Sequence, residues 1–207
     1  MPASSISNRS WCSRDNELRI QGEMMTPELQ KILVGLCRHP SWNVHHGYGS
    51  FITFEFGKPH LKVNKFSDQA RKRAPSLRKR TAYVRGDWHL WIYCCAWVYR
   101  ESETVISRWN SSDKRIDQAC ARLNGQILKL IEIDTKKART VFRFDLGGEL
   151  TTSSYDDELL EHWMLYCPNG KVFTFRSDGC FSHQSGKTEV TEQEFRPLTE
   201  LSRMAIG

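Results

Sequence analysis

The sequence lacks any long hydrophobic segment. No stretch of the 207 residues approaches the run of about 18 apolar side chains that a membrane-spanning helix requires. The N-terminal stretch MPASSISNRSWCSRDNELRIQGEMM is polar and contains no apolar core of a signal peptide. Since hydrophobic residues make up 39% and aromatic residues 11% of the chain, the composition is typical of a globular protein. We therefore expect a cytoplasmic globular protein that does not insert into a membrane.

The cysteines lack the spacing of a metal site or of a disulfide framework. The chain has seven cysteines and no Cys-x-x-Cys pair, whereas structural zinc sites use paired short spacings and disulfide scaffolds are usually secreted and even in number. Cys94 and Cys95 are neighbours on a predicted strand, so their side chains point to opposite faces. We expect reduced thiols, no metal site and no cofactor.

A cysteine nucleophile has little support from the same stretch. On one straight strand His89 would lie about 17 Å from Cys94, which is too far for proton transfer. A Cys–His pair formed across strands, for example with His162, stays open. The sequence contains no Gly-x-Ser-x-Gly motif and no glycine-rich phosphate loop.

One short pattern is typical of a metal-dependent nuclease. Glu132, Asp134 and Lys136 follow one another at the end of a predicted strand, and such acids with a lysine can hold Mg²⁺ and position a water. The alternative interpretation is a charged hairpin tip.

Positive charge is concentrated in one segment. The chain carries a net charge of +6, but the segment from His60 to Arg85 alone carries +8 and the remainder −2. A basic insert at 64–82 is predicted to bind phosphates, with Tyr83 and Trp88 close enough to stack on bases. An acidic protein partner is the alternative. The predicted contact residues are Arg71, Lys72, Arg73, Arg78, Lys79 and Arg80.

The periodicity predicts an α+β domain with a predominantly antiparallel sheet and two covering helices. Apolar residues at helical spacing predict helices over 26–37 and 113–124, and alternating strands with Gly, Asn and Asp turns predict the sheet. We expect this domain to span 26–183, between a flexible leader at 1–25 and a C-terminal extension at 184–207.

Two stretches of the chain resemble each other. FEFG at 54–57 matches FDLG at 144–147, and LWIYCC at 90–95 matches HWMLYC at 162–167. Duplicated β units at about 47–100 and 126–183, with the basic insert inside the first, would explain the match. Chance similarity between strands is the alternative, since strands reuse few residue types.

The segment GDWHLWIYCCAW at 86–97 reads as one aromatic strand. Strand alternation places Trp91, Tyr93 and Trp97 on the same face. Either the two helices cover these three aromatic side chains or they form a surface for a partner.

The motifs GYGSF, FEFG and GDWHLWI resemble those of an uncharacterised family of small bacterial proteins. The elements FDLG and WMLY are similar to those of small β-rich immunity proteins, and this resemblance implies neutralisation of a toxin by binding. We therefore expect a bacterial binding protein without catalytic activity, whose partner is another protein. A nucleic-acid-binding accessory protein and a metal-dependent nuclease are the alternatives.

Overall fold

The computed structural model describes residues 19–20, 27–64, 80–156 and 158–198. Strands make up 51% and helices 13% of it. In chain order the elements are β1 (Arg19–Ile20), α1 (Pro27–Leu36), β2 (Ser41–His46), β3 (Ile52–Phe56), β4 (His60–Asn64), β5 (Thr81–Arg85), β6 (Trp88–Ile92), β7 (Ala96–Glu101), β8 (Thr104–Arg108), α2 (Asp113–Leu123), β9 (Leu128–Asp134), β10 (Arg139–Phe144), β11 (Gly148–Ser153), β12 (Glu161–Tyr166), β13 (Lys171–Arg176), β14 (Cys180–Ser185) and β15 (Arg196–Pro197).

The described strands form two large sheets and one ribbon. The first sheet has the order β1-β9-β10-β11-β7-β8, and the second has the order β15-β14-β13-β12-β6-β3-β2. Adjacent strands are antiparallel, except that β1 runs parallel to β9. Strands β4 and β5 form a separate two-stranded ribbon.

The two large sheets face each other and enclose one core. Phe54 of β3 stacks on Phe144 of β10 with 6.1 Å between ring centroids. Phe142 meets the ring of Trp163 edge-on at 5.6 Å, and the Trp163 indole N–H donates to Thr140 Oγ1 at 2.9 Å. These contacts join strands of different sheets, so each sheet buries the apolar face of the other.

The prediction of an α+β domain with two covering helices is therefore wrong. Helix α2 contacts β2 and β8, the edge strands of the two sheets. Its buried side chains are Ile116, Ala119, Cys120 and Leu123. Alternating apolar strands need a covering layer, and helical periodicity elsewhere in the chain does not reveal that the layer is a second sheet.

The predicted aromatic strand is interrupted by a corner. Strand β6 ends at Ile92 and β7 begins at Ala96 in the other sheet. Between them the Cys95 amide donates to the Tyr93 carbonyl at 2.9 Å. The corner reverses the alternation, so Trp97 is fully buried in the core while Trp91 is half-buried. The prediction that Trp91 and Trp97 share one face is wrong for this reason.

The β4–β5 ribbon returns to the second sheet through a tight turn at Gly86. A Cβ atom on Gly86 would overlap the Phe56 carbonyl oxygen and lie 2.9 Å from the Phe56 amide nitrogen. Only glycine therefore lets this turn pass against the backbone of β3. The turn fixes the ribbon at one end of the sheet.

Two short described strands lie outside the predicted domain at 26–183. Arg19–Ile20, inside the predicted leader, form β1, and Arg196–Pro197, inside the predicted extension, pair with β14. Trp91 and Trp163, which align in the predicted repeat, differ in environment because Trp163 is fully buried. Within the part of the chain that the structure describes, no helix has the length and apolarity to cross a bilayer.

A basic, aromatic cavity as the candidate functional site

A buried carboxylate lies on the outer face of the second sheet. The register between β3 and β6 places Glu55 opposite His89. Because strand side chains alternate, these two side chains point away from the core that their neighbours Phe54 and Leu90 fill. Glu55 is nevertheless only 1% exposed and His89 only 7% exposed. An ionisable pair this deeply buried requires compensating partners.

Arg85 and the Gly86 amide supply those partners. Arg85 Nη1 donates to Glu55 Oε1 at 2.7 Å, and the Gly86 N–H donates to Glu55 Oε2 at 2.9 Å. His89 Nδ1 lies 3.0 Å from Glu55 Oε1. Burial alone would raise the pKa of Glu55, but these hydrogen bonds and nearby positive charge hold that pKa below its ordinary value. Glu55 is therefore a carboxylate at neutral pH.

The same contacts indicate the tautomer of His89. Arg85 Nη1 lies 2.7 Å from Nδ1 and 2.9 Å from Nε2 of the imidazole. A guanidinium can only donate. Glu55 can only accept, so the hydrogen that reaches it is carried by Nδ1, and Nε2 of the neutral ring then holds the lone pair. The ring of Tyr166 lies 5.4 Å from the imidazole.

An open cavity of about 550 Å³ lies between the ribbon and the second sheet, with His89 among the residues that line it. The volume is in the range of ligand sites in proteins. His60, Lys62, Tyr83 and Arg85 of the ribbon line one side. The second sheet contributes His89, Trp91, Tyr166 and Lys171. Lys187, which follows β14, also lines the cavity.

The cavity combines positive charge with aromatic rings. Its lining includes four cationic side chains and a single carboxylate, that of Asp87, which accepts a hydrogen bond from the Lys58 amide at 2.8 Å. The aromatic rings are those of Tyr83, Trp91 and Tyr166. The arrangement can hold an anionic group and a planar group at the same time. The cationic side chains are Lys62, Arg85, Lys171 and Lys187.

One of the three predicted aromatic contact residues, Trp91, lines this cavity, and Tyr93 packs against Trp91. Trp91 and Tyr93 are half-buried and their ring centroids are 4.7 Å apart. Phe51 completes the cluster at 4.6 Å from Tyr93. Trp97 is fully buried and donates to the Ser50 carbonyl at 2.7 Å, so its side chain offers no surface to a partner.

The predicted basic contact residues fall largely outside the described part of the chain. Arg71, Lys72, Arg73, Arg78 and Lys79 lie at 65–79, which the structure does not describe. Arg80 is exposed next to the start of β5.

The predicted nuclease residues belong to the other sheet. Glu132 pairs with Arg143 at 3.0 Å, and the carboxylate of Asp134 accepts the amides of Lys136 and Lys137 at 3.1 and 3.2 Å. Asp134 therefore closes a hairpin turn. Across 19–20, 27–64, 80–156 and 158–198, no group of three or more His, Cys, Asp or Glu side chains is arranged to hold a metal ion.

The described thiols are buried or half-buried and unpaired. Burial raises the pKa of Cys37 to about 12 and of Cys167 to about 11, which disfavours the nucleophilic thiolate. Cys95 contacts His162 through the histidine carbonyl at 3.3 Å and not through its imidazole. The geometry therefore gives no Cys–His pair at this point.

No protein-family model, no curated protein and no solved structure matches the chain. The function is therefore argued from the cavity itself.

Glu55 was missed at the level of sequence because alternation in FEFG predicts an exposed glutamate there. Its partners Arg85 and Gly86 lie 30 and 31 positions further along the chain. One local signal was present: Arg85 precedes His89 by four residues, across a glycine turn. The pairing of that segment with β3 is what the sequence does not reveal.

Proposed function

We propose that the protein binds single-stranded nucleic acid in the cavity between the β4–β5 ribbon and the second sheet. The observation that carries this proposal is the placement of four cationic side chains around three aromatic rings in one open cavity of about 550 Å³. Phosphates interact with the cations by charge, and unpaired bases stack on the aromatic rings. Bases in a duplex are already stacked, so a concave aromatic site favours single strands.

The connection of the ribbon to the basic insert supports the same proposal. The ribbon ends at Asn64 and resumes at Thr81, so the insert with its two Arg-Lys-Arg clusters joins the two strands that form one side of the cavity. The insert is therefore joined to the ribbon at its Asn64–Thr81 end. In this proposal the protein is a cytosolic nucleic-acid-binding protein.

Binding is tested by fluorescence anisotropy with a labelled mixed-sequence oligonucleotide of about 12 nucleotides, within the site sizes known for single strands. Each phosphate contact contributes about 0.7 to the slope of log affinity against log salt. Replacing Lys62 and Lys171 together by glutamine should therefore reduce that slope by about 1.4 and weaken binding about 25-fold at 0.1 M salt.

The matched control replaces two exposed lysines away from the cavity, Lys114 on α2 and Lys129 on β9. It changes the net charge equally and should leave the slope nearly unchanged. Equal losses in the two double variants would show nonspecific attraction to net charge and would refute the cavity as the binding site. Absence of binding to the wild-type protein at low salt would refute the proposal as a whole.

A protein partner is the second candidate, because the ribbon exposes apolar side chains on the face away from the cavity. Leu61 is 68% exposed, and Val63 and Val84 are each 47% exposed. Surfaces of this kind mark contacts between proteins. Replacing Leu61 and Val84 by serine should abolish binding to the product of a neighbouring gene in native mass spectrometry and leave nucleic-acid affinity unchanged. Loss of nucleic-acid affinity in that variant would count against a separate protein surface.

A further inference from the structure

Two imidazoles and one guanidinium line the cavity together. His60 is the register partner of Arg85 in the ribbon, and Arg85 Nη1 contacts His89. Arg85 is therefore adjacent to both histidines, one on the ribbon and one on the sheet. His60 is exposed, whereas His89 is 7% exposed. Phosphate binding alone requires neither a buried imidazole nor a carboxylate behind it.

The buried carboxylate fixes the orientation of His89. Glu55 accepts the hydrogen on Nδ1, so Nε2 carries the lone pair. Arg85 Nη1 lies against the imidazole ring, 2.7 Å from Nδ1 and 2.9 Å from Nε2. A guanidinium prefers the paired oxygens of a phosphate, and its side chain is 30% exposed on the cavity side. A phosphate bound to the remaining N–H groups of Arg85 would leave the contact with Glu55 in place and lie beside Nε2, which would act as a base while Glu55 stabilises the imidazolium that forms.

We propose that the cavity cleaves single-stranded RNA without a metal ion, by transfer of the phosphoryl group to the neighbouring 2′-hydroxyl. This inference rests on the proposed nucleic-acid binding and adds a reaction to it. The 2′-oxygen attacks phosphorus and forms the new P–O bond, while His89 Nε2 takes its proton. The bond from phosphorus to the 5′-oxygen breaks, and protonated His60 gives its proton to that oxygen.

The products are a 2′,3′-cyclic phosphate on one fragment and a 5′-hydroxyl on the other. One proton is taken and one is given, so the step is balanced and needs no oxidant or further reactant. Arg85, with the cationic side chains around the cavity, stabilises the negative charge that builds up on the phosphoryl oxygens. The substrate class is RNA, because DNA lacks the 2′-hydroxyl that serves as the nucleophile.

The test uses the full chain with a labelled single-stranded RNA and a DNA of the same sequence, in buffer with EDTA. Binding is measured by anisotropy with the DNA, which cannot be cleaved by this route. Cleavage is measured with the RNA by gel electrophoresis, and the product ends are identified by mass spectrometry. We expect cleaved RNA with 2′,3′-cyclic phosphate ends and intact DNA.

His89→Gln and His60→Gln should each lower the cleavage rate at least 100-fold while the DNA is still bound. His60 is exposed, so its variant remains informative even if the buried substitution unfolds the protein. His45→Gln, an exposed histidine on β2, is the matched control and should retain full activity.

Bound DNA together with intact RNA would overturn the cleavage reaction and leave the proposed binding in place. Cleavage that is equally fast in His60→Gln and His45→Gln would also overturn it. Failure of both oligonucleotides to bind would overturn the proposed function and this inference together.

Discussion

Replacing Glu55 by glutamine tests whether the buried network holds the ribbon to the sheet. The carboxylate accepts hydrogen bonds from Arg85 and Gly86 and lies 3.0 Å from His89 Nδ1. A glutamine oxygen can keep one of these donors, but its amide hydrogens then face the guanidinium or the imidazole. Breaking a buried ion pair costs about 3–5 kcal/mol. Because the Arg85 side chain is 30% exposed and can reach water, we expect a loss of about 2–4 kcal/mol in the free energy of unfolding.

Urea denaturation measures this loss as a shift of the midpoint at unchanged slope. Glu194→Gln is the control, since Glu194 and its partner Arg196 are 70% and 54% exposed, and exposed pairs contribute at most about 1 kcal/mol. A Glu55→Gln variant within about 0.5 kcal/mol of the wild type would refute the view that this network stabilises the fold.

The difference in the free energy of unfolding between the wild type and Glu55→Gln should depend on pH. The folded state holds the pKa of Glu55 below its ordinary value. The carboxylate therefore stabilises the fold at neutral pH, and this contribution is lost as the pH falls through the lowered folded-state pKa. The advantage of the wild type over Glu55→Gln should be constant near neutrality and narrow in acid. A difference that widens in acid would contradict the assignment of Glu55 as an ionised group.

Three further changes test the core, the turn and the thiols. Trp97→Ala should lower the free energy of unfolding by about 3–5 kcal/mol because Trp97 is fully buried, whereas Trp109→Ala, at a 38% exposed position, should cost about 1 kcal/mol or less in the same urea titration. Gly86→Ala should cost about 1–3 kcal/mol or more by overpacking, and Gly47→Ala, whose new Cβ would meet its nearest atom at 3.5 Å, should cost less than Gly86→Ala by thermal denaturation. Burial raises the pKa of Cys95, so its thiol should not react with Ellman's reagent in the native protein. Cys95→Ala should therefore leave the number of reactive thiols unchanged in the native protein and lower it by one in guanidinium. A lower number in the native variant would show that Cys95 is accessible.

The buried face of helix α2 could be predicted from its local sequence. Ile116, Ala119, Cys120 and Leu123 recur at helical spacing, and the structure buries all four within Asp113–Leu123. The pattern needs no information beyond its own eleven residues. The partner of that apolar face could not be predicted. The sequence predicts that the helix covers the face of a sheet, whereas it lies against the edge strands of two sheets.

Strand alternation is reliable only while the strand continues. It places Leu90 and Ile92 in the core and His89 on the outer face as observed, but it fails beyond Tyr93, where the chain turns a corner into the other sheet. The residues Tyr93, Cys94 and Cys95 do not mark that corner, since none of them is a proline or a glycine. The prediction of a contact surface at Trp97 is wrong because of this corner.

The candidate site could not be predicted because long-range pairing creates it. Glu55 and His89 are 34 positions apart and meet through the β3–β6 register. The positive charge of the ribbon was visible in the sequence as the segment from His60 to Arg85. The placement of Lys62 and Arg85 in the wall of a cavity depends on where the ribbon lies, which Gly86 and the outer face of the second sheet determine together.

The mixed composition of the two sheets means that the chain cannot be divided into halves. The first sheet joins β7 and β8 to β9, β10 and β11, and the second joins β2, β3 and β6 to β12, β13 and β14. A cut in the turn before α2 would leave two fragments, each with part of both sheets and neither with a closed core. We expect these fragments to fold only when they are mixed, because each needs the strands of the other to complete both sheets. Neither fragment is expected to fold as an independent lobe.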